Sequence, residues 1–318
     1  MADKADKAAR RMDSAGILHR LLYTSFKEEC MYINHNQMAL GVSNNLTGHY
    51  NNLATSTQRL SSGLRVNSAA DDAAGLAIRE LMRADIASLN QGVRNANDAI
   101  SLIQTADGAL GVIDEKLIRM KELAEQAATG TYTSDQRLMI DSEYQAMASE
   151  ITRIANATDF NGIHLLDGNL SADHDGSQAA ASGQLKVHFG SANDKAEDYY
   201  YIKIDKATAS ALGVGSAAGN SVSTQAAAQA ALVTLDAAIK SKDNIRANLG
   251  ALQNRLENTI TNLTTQAENL QAAESRISDV DVATEMTNFV RNQILTQSAV
   301  AMLGQANSAQ QLAMQLIR

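Results

Sequence analysis

The 318-residue sequence contains no proline and no tryptophan, a single cysteine and only 4% aromatic residues. Average usage of about 5% would give roughly 16 prolines, so residues that break helices are conspicuously missing. The one cysteine, Cys30, excludes an intramolecular disulfide framework and a zinc site built from cysteines. With so few aromatic side chains, alanine and aliphatic residues must supply the core. This composition predicts a mainly α-helical chain with long helices.

Long apolar runs and an excess of positive charge are also missing. No stretch approaches 18 apolar residues, so a membrane span is not predicted. With 27 basic and 35 acidic residues the net charge is −8, which argues against a nucleic-acid partner. Histidines lack the HExxH spacing of zinc proteases, and a solvated loop is favoured over a metal site at Asp173-His174-Asp175. We expect no catalytic residue, no cofactor, no metal and no enzymatic activity.

Two segments near the ends of the sequence, Met31–Gln58 and Asn292–Ile317, contain no Asp, Glu, Lys or Arg. Apolar side chains recur at helical spacing through the first, which predicts an amphipathic helix. A closely stacked array of identical subunits must avoid like-charge repulsion, and uncharged helices suit that use. We therefore predict assembly elements; two unstructured polar tails are the alternative. The residues expected to mediate assembly are Leu46, Tyr50, Leu53, Leu60, Gly63, Leu295, Leu303, Leu312 and Leu316.

Residues 1–30 differ from the rest of the chain. Arg20 interrupts their short apolar run, so a cleaved signal peptide is not predicted. Lys27-Glu28-Glu29 must be encoded AAR-GAR-GAR, which can contain the purine-rich ribosome-binding sequence just before the codon of Met31. We expect translation to start at Met31, which makes residues 1–30 a non-native extension. A genuine disordered tail is the alternative.

A heptad pattern runs through the N-terminal half. Ser68 is expected to cap the first long helix, with Asp71 and Asp72 at the positive end of its dipole. Thr133 and Gln136 have the spacing of a capping box for a second helix. A helix of about 60 residues is about 90 Å long, so a rod is expected instead of a compact globule. The predicted seam of the first helix is Leu89, Val93, Ala96, Ile100, Ile103, Ala106, Leu110, Ile113, Leu117, Met120, Ala124 and Ala127.

A second seam lies in the C-terminal half, and a different pattern separates the two. Ser278 and Asp281 are expected to cap a last helix. Residues 159–222 contain turn signals, and strands are predicted at Gln184–Phe189 and Tyr199–Ile204. The C-terminal seam consists of Leu249, Leu252, Leu256, Ile260, Leu263, Ala267 and Leu270. The predicted architecture is an elongated antiparallel helical bundle or coiled-coil rod with a small β-hairpin region.

Short motifs occur in an order and spacing typical of one family. In the N-terminal half they are Arg59-Leu-Ser-Ser-Gly63-Leu-Arg65, Asn67-Ser-Ala-Ala-Asp-Asp-Ala-Ala-Gly75, Arg94-Asn-Ala-Asn-Asp98, Arg119-Met-Lys-Glu-Leu-Ala-Glu-Gln126 and Asp159-Phe-Asn-Gly162. In the C-terminal half they are Gln253-Asn-Arg-Leu-Glu257, Ser275-Arg-Ile277, Ala283-Thr-Glu285 and Gln315-Leu-Ile-Arg318. Each is weak alone, but together they are specific. Over nearly all of Met31–Arg318 the chain resembles the bacterial flagellins, which build the flagellar filament.

The resemblance implies a domain plan and a function. Residues 32–67 would pair with 278–318 as an inner-tube helical domain, and 68–277 would form the rod with its β insert at about 159–222. Gly63 would lie in the connector. The chain is expected to be exported by the flagellar type III apparatus and to polymerise into the extracellular hollow filament used for motility. A hook–filament junction protein of the same family is the alternative.

The resemblance also implies partners. Besides further copies of the chain, these are an export chaperone, the distal cap protein, the hook-junction proteins and the innate immune receptor TLR5. By motif alignment, Arg119, Leu123 and Glu143 fall on the family's receptor contacts, with Leu117 and Gln126 alongside. The family has Gln where this chain has Ile118, a departure that bears on the strength of recognition.

Overall fold

The computed structural model describes residues 35–175, 183–194, 197–215 and 220–316. The expected extension at residues 1–30 lies outside these ranges. The helices of the described residues are α1 (Gln37–Ser62), α2 (Ala73–Ala128), α3 (Ser134–Ala157), α4 (Gln225–Ser278) and α5 (Val282–Leu316). The strands are β1 (Asp159–Phe160), β2 (Ile163–His164), β3 (Leu185–His188) and β4 (Tyr199–Ile202). The mainly α prediction with a small β-hairpin region is confirmed.

The chain divides into two compact units. Unit 1 contains α1 and α5, and unit 2 contains the chain from Ser68 to Ser278. The larger core belongs to unit 2, where α2 packs against both α3 and α4. Helices α2 and α4 have 56 and 54 residues, so each is about 80 Å long at a rise of about 1.5 Å per residue.

The predicted seam of α2 is buried as expected. Its residues from Ala106 to Ala127 are almost fully shielded from solvent, and Val93 and Ile100 are partly buried against the core. Leu102 and Leu123 are buried as well, next to the seam. Because α2 contacts two helices, its apolar face must be wider than a single heptad seam.

Helix caps explain where the helices of unit 2 begin. The capping box predicted at Thr133 and Gln136 is present at the start of α3. The prediction that Ser68 caps α2 is wrong: the N-cap is Asp72, whose carboxylate accepts from the amide of Gly75 at 2.9 Å. Ser68 instead donates its hydroxyl to Asp71 in the preceding turn. Helix α2 thus begins four residues later than expected. The carboxylate of Asp72 is closer to the first turn than the hydroxyl of Ser68, and it takes the capping role.

The seam of α4 extends further toward the N terminus than the sequence pattern indicated. Buried residues continue the steps of three and four from Leu249 back through Ile245, Lys242, Ala238 and Leu235. A lysine therefore occupies a seam position, and its side chain is only 2% exposed. Helix α4 is held at its entry by Asp141 of α3, whose carboxylate accepts from the amide of Val222 at 2.8 Å.

The β insert docks on α2 through its second hairpin. Strands β3 and β4 pair antiparallel, with Val187 opposite Tyr200. At Gly92 the helix and the hairpin approach so closely that a Cβ would lie 2.0 Å from the carbonyl oxygen of Phe189. Position 92 therefore requires glycine to admit the backbone of the insert. The strands predicted at Gln184–Phe189 and Tyr199–Ile204 are confirmed at these places.

In unit 1, α1 and α5 run antiparallel along the length of α1. At one end, the side-chain amide of Asn36 donates to the carbonyl of Ala306 at 3.0 Å. At the other end, the amide of Val280 donates to the carbonyl of Gly63 at 3.0 Å. Gly63 ends α1 in the left-handed conformation, with φ +73°, which favours glycine because it lacks a Cβ.

The last helix begins later than predicted. Asp281 alone caps α5, because its carboxylate accepts from the amide of Ala283 at 3.0 Å and from the hydroxyl of Thr284 at 2.7 Å. Ser278 is instead the last residue of α4, so its predicted role in the cap is wrong. The carboxylate and the hydroxyl are three residues apart, and only the carboxylate is within reach of the first turn of α5.

Candidate assembly surface and receptor epitope

Helix α1 turns one face toward α5 and leaves the other in solvent. The half-buried face follows Val42, Leu46, Leu53 and Leu60, with the hydroxyl of Ser56 buried among them. The large apolar side chains that α1 exposes are Met38, Leu40 and Tyr50, with Met38 70% exposed. A monomer gains nothing from large apolar side chains in water.

Helix α5 is apolar on every side. Its exposed large side chains are Val282, Met286, Val290, Ile294, Leu295, Val300, Met302, Leu312 and Met314. They point in all directions around the axis, and a helix that is apolar all round is normally buried all round. The single partner α1 can cover only one side, so most of this surface is left for other contacts.

A small polar cluster joins the two helices near the connector end. Glu285 of α5 is only 8% exposed, accepts from the hydroxyl of Ser56, and lies 3.9 Å from the guanidinium of Arg59. Arg59 and Glu285 lie outside the charge-free segments, whereas Ser56 lies within the first of them. Sequence reasoning quoted Arg59 and Glu285 only as parts of family motifs and did not pair them.

The structure places the predicted assembly residues in three environments. Tyr50, Leu295 and Leu312 are exposed, with exposed fractions of 52%, 38% and 58%. Leu46, Leu53, Leu60 and Leu303 are half-buried within unit 1. Gly63 forms the end of α1, and the side chain of Leu316 lies outside the described part of the structure.

The epitope residues lie where α2 and α3 run side by side. Arg119 of α2 donates to Glu143 of α3 through Nε at 3.1 Å and Nη2 at 2.9 Å, and to Glu122 through Nη1 at 3.0 Å. These hydrogen bonds, the one to Glu143 first, raise the pKa of Arg119. Gln126, two turns further along α2, donates to the phenol of Tyr132 at 3.0 Å. Arg119 and Glu143 are each nearly half exposed.

Two residues of the expected epitope are not at the surface. Leu117 is fully buried in the seam of α2, and Leu123 is 2% exposed. Both pack in the core because α2 buries a wide face against α3 and α4, so neither side chain can contact a receptor on the folded monomer. The exposed part of the predicted epitope is therefore Arg119, Gln126 and Glu143, beside the half-exposed Ile118.

One residue from each of two family motifs, Arg94–Asp98 and Gln253–Glu257, holds the β insert against the helices. The sequence analysis did not predict this role. Asn95 donates its side-chain amide to the carbonyl of His188 at 2.8 Å. Arg255 of α4 lies over the ring of Tyr200, 3.5 Å from its centroid, and Phe189 packs against the same ring at 4.6 Å.

Neither a metal site nor a membrane span is found in the ranges the structure describes. No three His, Cys, Asp or Glu side chains are grouped there so as to hold a metal ion. None of the described helices is long and apolar enough to cross a bilayer.

Comparisons with known proteins cover both units. The bacterial flagellin N-terminal helical region matches residues 33–171, and the bacterial flagellin C-terminal helical region matches residues 232–317. The chain is 42% identical over 292 residues to flagellin FlaB2 of Treponema pallidum, covering 91% of this chain and 100% of that protein. It is 42% identical over 288 residues to a flagellin of Halalkalibacterium halodurans, with the same two coverages.

A solved structure is similar as well. The crystal structure of Bacillus cereus flagellin is 33% identical, covers 57% of this chain and 94% of its own, and has a TM-score of 0.44. The similar proteins include flagellins and flagellar filament core proteins, such as the flagellar filament 33 kDa core protein of Treponema phagedenis.

Proposed function

The chain belongs to the bacterial flagellin family, and from this premise we propose how it serves as a structural subunit of the flagellar filament. Flagellins are structural proteins, and the relatives favour the filament subunit over the hook–filament junction. The observation that carries the mechanism is the large apolar side chains exposed on the charge-free segment Asn292–Ile317, beside those exposed on α1.

Residues 32–67 and 278–318 form the inner-tube domain, in which copies of α1 and α5 pack against one another. Burying large side chains such as Ile294 and Met302 removes apolar area from water at roughly 25 cal/mol per Å². Since neither charge-free segment brings a formal charge into the contact, no ion has to be desolvated. Residues 68–277 form the second domain of the proposed subunit, the helical rod.

Seeded growth tests the assignment. Purified chain is added to short filament fragments, and length is followed by electron microscopy. Continued elongation is expected of a filament subunit. A junction protein would cap the seeds and stop, and that result would reverse the choice between the two family roles.

Gly63 serves as the connector between the assembly helix α1 and the rod. Its φ of +73° is costly for a β-branched residue, by about 1–2 kcal/mol, although no atom stands within 4 Å of a Cβ there. Gly63→Val is expected to alter filament shape or motility while the helicity of unit 2 is retained. Gly250→Val, inside α4 and equally free of close neighbours, is the control for a volume effect.

Export and partners follow from the same family premise. We propose secretion through the flagellar type III apparatus without a cleaved signal, chaperoning of α1 and α5 before export, and folding beneath the cap protein. A chain without proline has no slow X-Pro isomerisation, which suits folding after export. Hook-junction proteins contact the filament base through the same terminal helices.

The innate immune receptor TLR5 is proposed to bind released monomer at Arg119, Gln126 and Glu143. Arg119 offers a planar fork of donors, and binding must exchange its bonds to Glu143 and Glu122 for receptor groups. Arg119→Ala is expected to weaken receptor activation with unchanged helicity, while Arg153→Ala, which breaks a comparable exposed pair on α3, leaves activation intact. Equal activation by both variants would place the epitope elsewhere.

A further inference from the structure

Methionine differs from leucine, isoleucine and valine because its thioether is readily oxidised to a polar sulfoxide. Unit 1 contains four methionines in the described part of the chain, namely Met38 of α1 and Met286, Met302 and Met314 of α5. Each of them is exposed, from 45% for Met286 to 70% for Met38. The two helices proposed for assembly therefore carry oxidisable side chains on the outside of the monomer.

The methionines of unit 2 are mostly shielded. Met120 is fully buried in the seam of α2, and Met82 and Met147 are half-buried. Met139, near the start of α3, is the exception and is 73% exposed. Its access to solvent is thus similar to that of Met38, but it belongs to the other unit. Met139 therefore provides an internal reference for oxidation outside unit 1.

The methionines of unit 1 are spread over the surface proposed for assembly. Met38, Met302 and Met314 lie in the charge-free segments, toward the end of unit 1 where Asn36 donates to the carbonyl of Ala306. At about 100° per residue, the three methionines of α5 lie on three sides of the helix, at least about 80° apart. Contacts with a neighbouring copy on any of these sides therefore bury a methionine.

Oxidation changes what these positions offer to a neighbouring copy. A lone pair of the thioether sulfur attacks one oxygen of hydrogen peroxide, so that an S–O bond forms and the O–O bond breaks. The other oxygen leaves with both hydrogens as water, and the peroxide takes up the two electrons that the sulfur loses. The sulfoxide oxygen needs a hydrogen-bond donor, and burial without one is unfavourable. The charge-free segments supply no lysine or arginine that could donate to it.

We propose that Met38, Met286, Met302 and Met314 are modification sites through which peroxide controls assembly. The inference rests on the proposed filament function, because the four sites matter only where neighbouring copies cover α1 and α5. A monomer with a sulfoxide at any of these positions joins the filament poorly, and subunits already in the filament are shielded from the oxidant. Methionine sulfoxide reductases regenerate the thioether, so the excluded monomer can be recovered.

The partition of partly oxidised chain tests this without any substitution in unit 1. Full-length monomer carries Cys30→Ser, which removes the only cysteine. It receives a limiting dose of hydrogen peroxide, so that most chains carry no more than one sulfoxide. Short filament fragments are elongated with it and pelleted. Peptide mass spectrometry gives the sulfoxide fraction at each methionine in pellet and supernatant.

The sulfoxide fraction at the four sites should be about tenfold lower in the pellet than in the supernatant. At Met139 it should be equal in both. Equal fractions at the four sites would overturn the proposal, and so would the same depletion at Met139. Treatment of the supernatant with methionine sulfoxide reductases should restore elongation, and persistent failure would mean that another lesion is responsible. Failure of untreated monomer to elongate the seeds would instead refute the filament function itself.

A matched pair of variants assigns the effect to unit 1. One variant combines Met38→Leu, Met286→Leu, Met302→Leu and Met314→Leu, and the other contains only Met139→Leu. Each is compared with its own untreated form, so that a change in basal elongation does not enter the ratio. After full oxidation, Met139→Leu should elongate at least about tenfold more slowly, whereas the fourfold variant should change little. An equal loss in both would place the sensitive methionine elsewhere. If the fourfold variant does not fold, the partition result decides alone.

Discussion

Unit 1 is an antiparallel helix pair and unit 2 contains one, α2 with α4, yet the two pairs bury opposite kinds of residue. In unit 2 the seam between α2 and α4 is filled with Ile, Leu, Met and Ala that are almost completely shielded. In unit 1 the buried residues of the two helices are mostly small or polar, such as Ser56, Thr296 and Ala306, while large apolar side chains face outward. Unit 2 can therefore be stable within one chain, whereas unit 1 keeps its largest apolar groups for contacts with other copies.

The largest effect is expected from a charge introduced into unit 1, which should prevent assembly without affecting the stability of unit 2. Leu53→Asp should abolish polymerisation, since a carboxylate buried without a partner between α1 and α5 costs several kcal/mol and disrupts the helix pair proposed to assemble. The thermal transition of unit 2 should be unchanged, because Leu53 belongs to unit 1. Sedimentation measures assembly and circular dichroism measures melting, with Leu53→Met as the conservative control. Normal filaments from Leu53→Asp would refute the assembly role of this face.

Shortening a buried apolar side chain in the seam of unit 2 should have the opposite effect and lower the stability of the monomer. Ile113 is fully buried and Leu256 is 1% exposed, so replacing either with alanine should lower the free energy of unfolding by about 2–5 kcal/mol. Val233→Ala, at a site 71% exposed on α4, should change it by less than about 0.5 kcal/mol. Urea unfolding of the monomer compares the three. An unchanged midpoint for Ile113→Ala would contradict the assigned core.

Two glycines on α2 offer a sharper test of the β insert. Gly92→Ala forces a methyl group against the carbonyl of Phe189, and such overpacking costs about 1–3 kcal/mol. Gly108→Ala, on the same helix with no atom within 4 Å of a Cβ, should instead stabilise by about 0.5–1 kcal/mol. Opposite shifts in melting temperature are expected. Equal shifts would show that the insert does not rest on Gly92.

The smallest expected effect is at the start of α5. Hydrogen bonds from the Thr284 hydroxyl first, and then from the amides of Thr284 and Ala283, lower the pKa of Asp281. A carboxyl group with a lowered pKa stabilises the folded state above its unfolded pKa of about 3.9, and this contribution is lost as the pH falls through the lower folded value.

The protection of the amides in the first turn of α5, measured as their exchange rate relative to an unfolded chain, should therefore decrease below about pH 4. In Asp281→Asn, whose side chain still caps but does not titrate, this loss of protection should be missing. Identical pH profiles in the two proteins would mean that the cap is not the group that titrates.

The heptad and capping patterns predicted most of the helical architecture, because spacing and cap chemistry are local properties. The α2 seam and the capping box at Thr133 were confirmed. The capping role predicted for Ser68 was wrong because several residues in this segment can cap a helix. Which of them does so depends on the distance of its side chain from the first-turn amides. Leu123 was taken as exposed because it lies beside the predicted seam. The heptad pattern does not indicate that α2 packs against two helices and therefore buries a wider face.

Lys242 shows most clearly which contacts the sequence alone does not predict. Helix α4 contains two neighbouring lysines, Lys240 and Lys242, and nothing in the local sequence distinguishes the one that faces Asp114 from the other. The same holds for Asn95 and Arg255, whose partners lie in an insert about 55–95 residues away along the chain. Such pairings depend on tertiary contacts, which a single sequence does not encode locally.

The absence of formal charge in the two terminal segments has a consequence for the environment in which the filament works. Attraction between ions weakens as salt shortens the Debye length from about 30 Å at 0.01 M to about 3 Å at 1 M. Cohesion through uncharged faces lacks this dependence, and excluded salts such as sulfate even strengthen apolar contacts. Contacts made by Met31–Gln58 and Asn292–Ile317 should hold equally well in fresh and in saline water, so that osmotic change outside the cell does not loosen them.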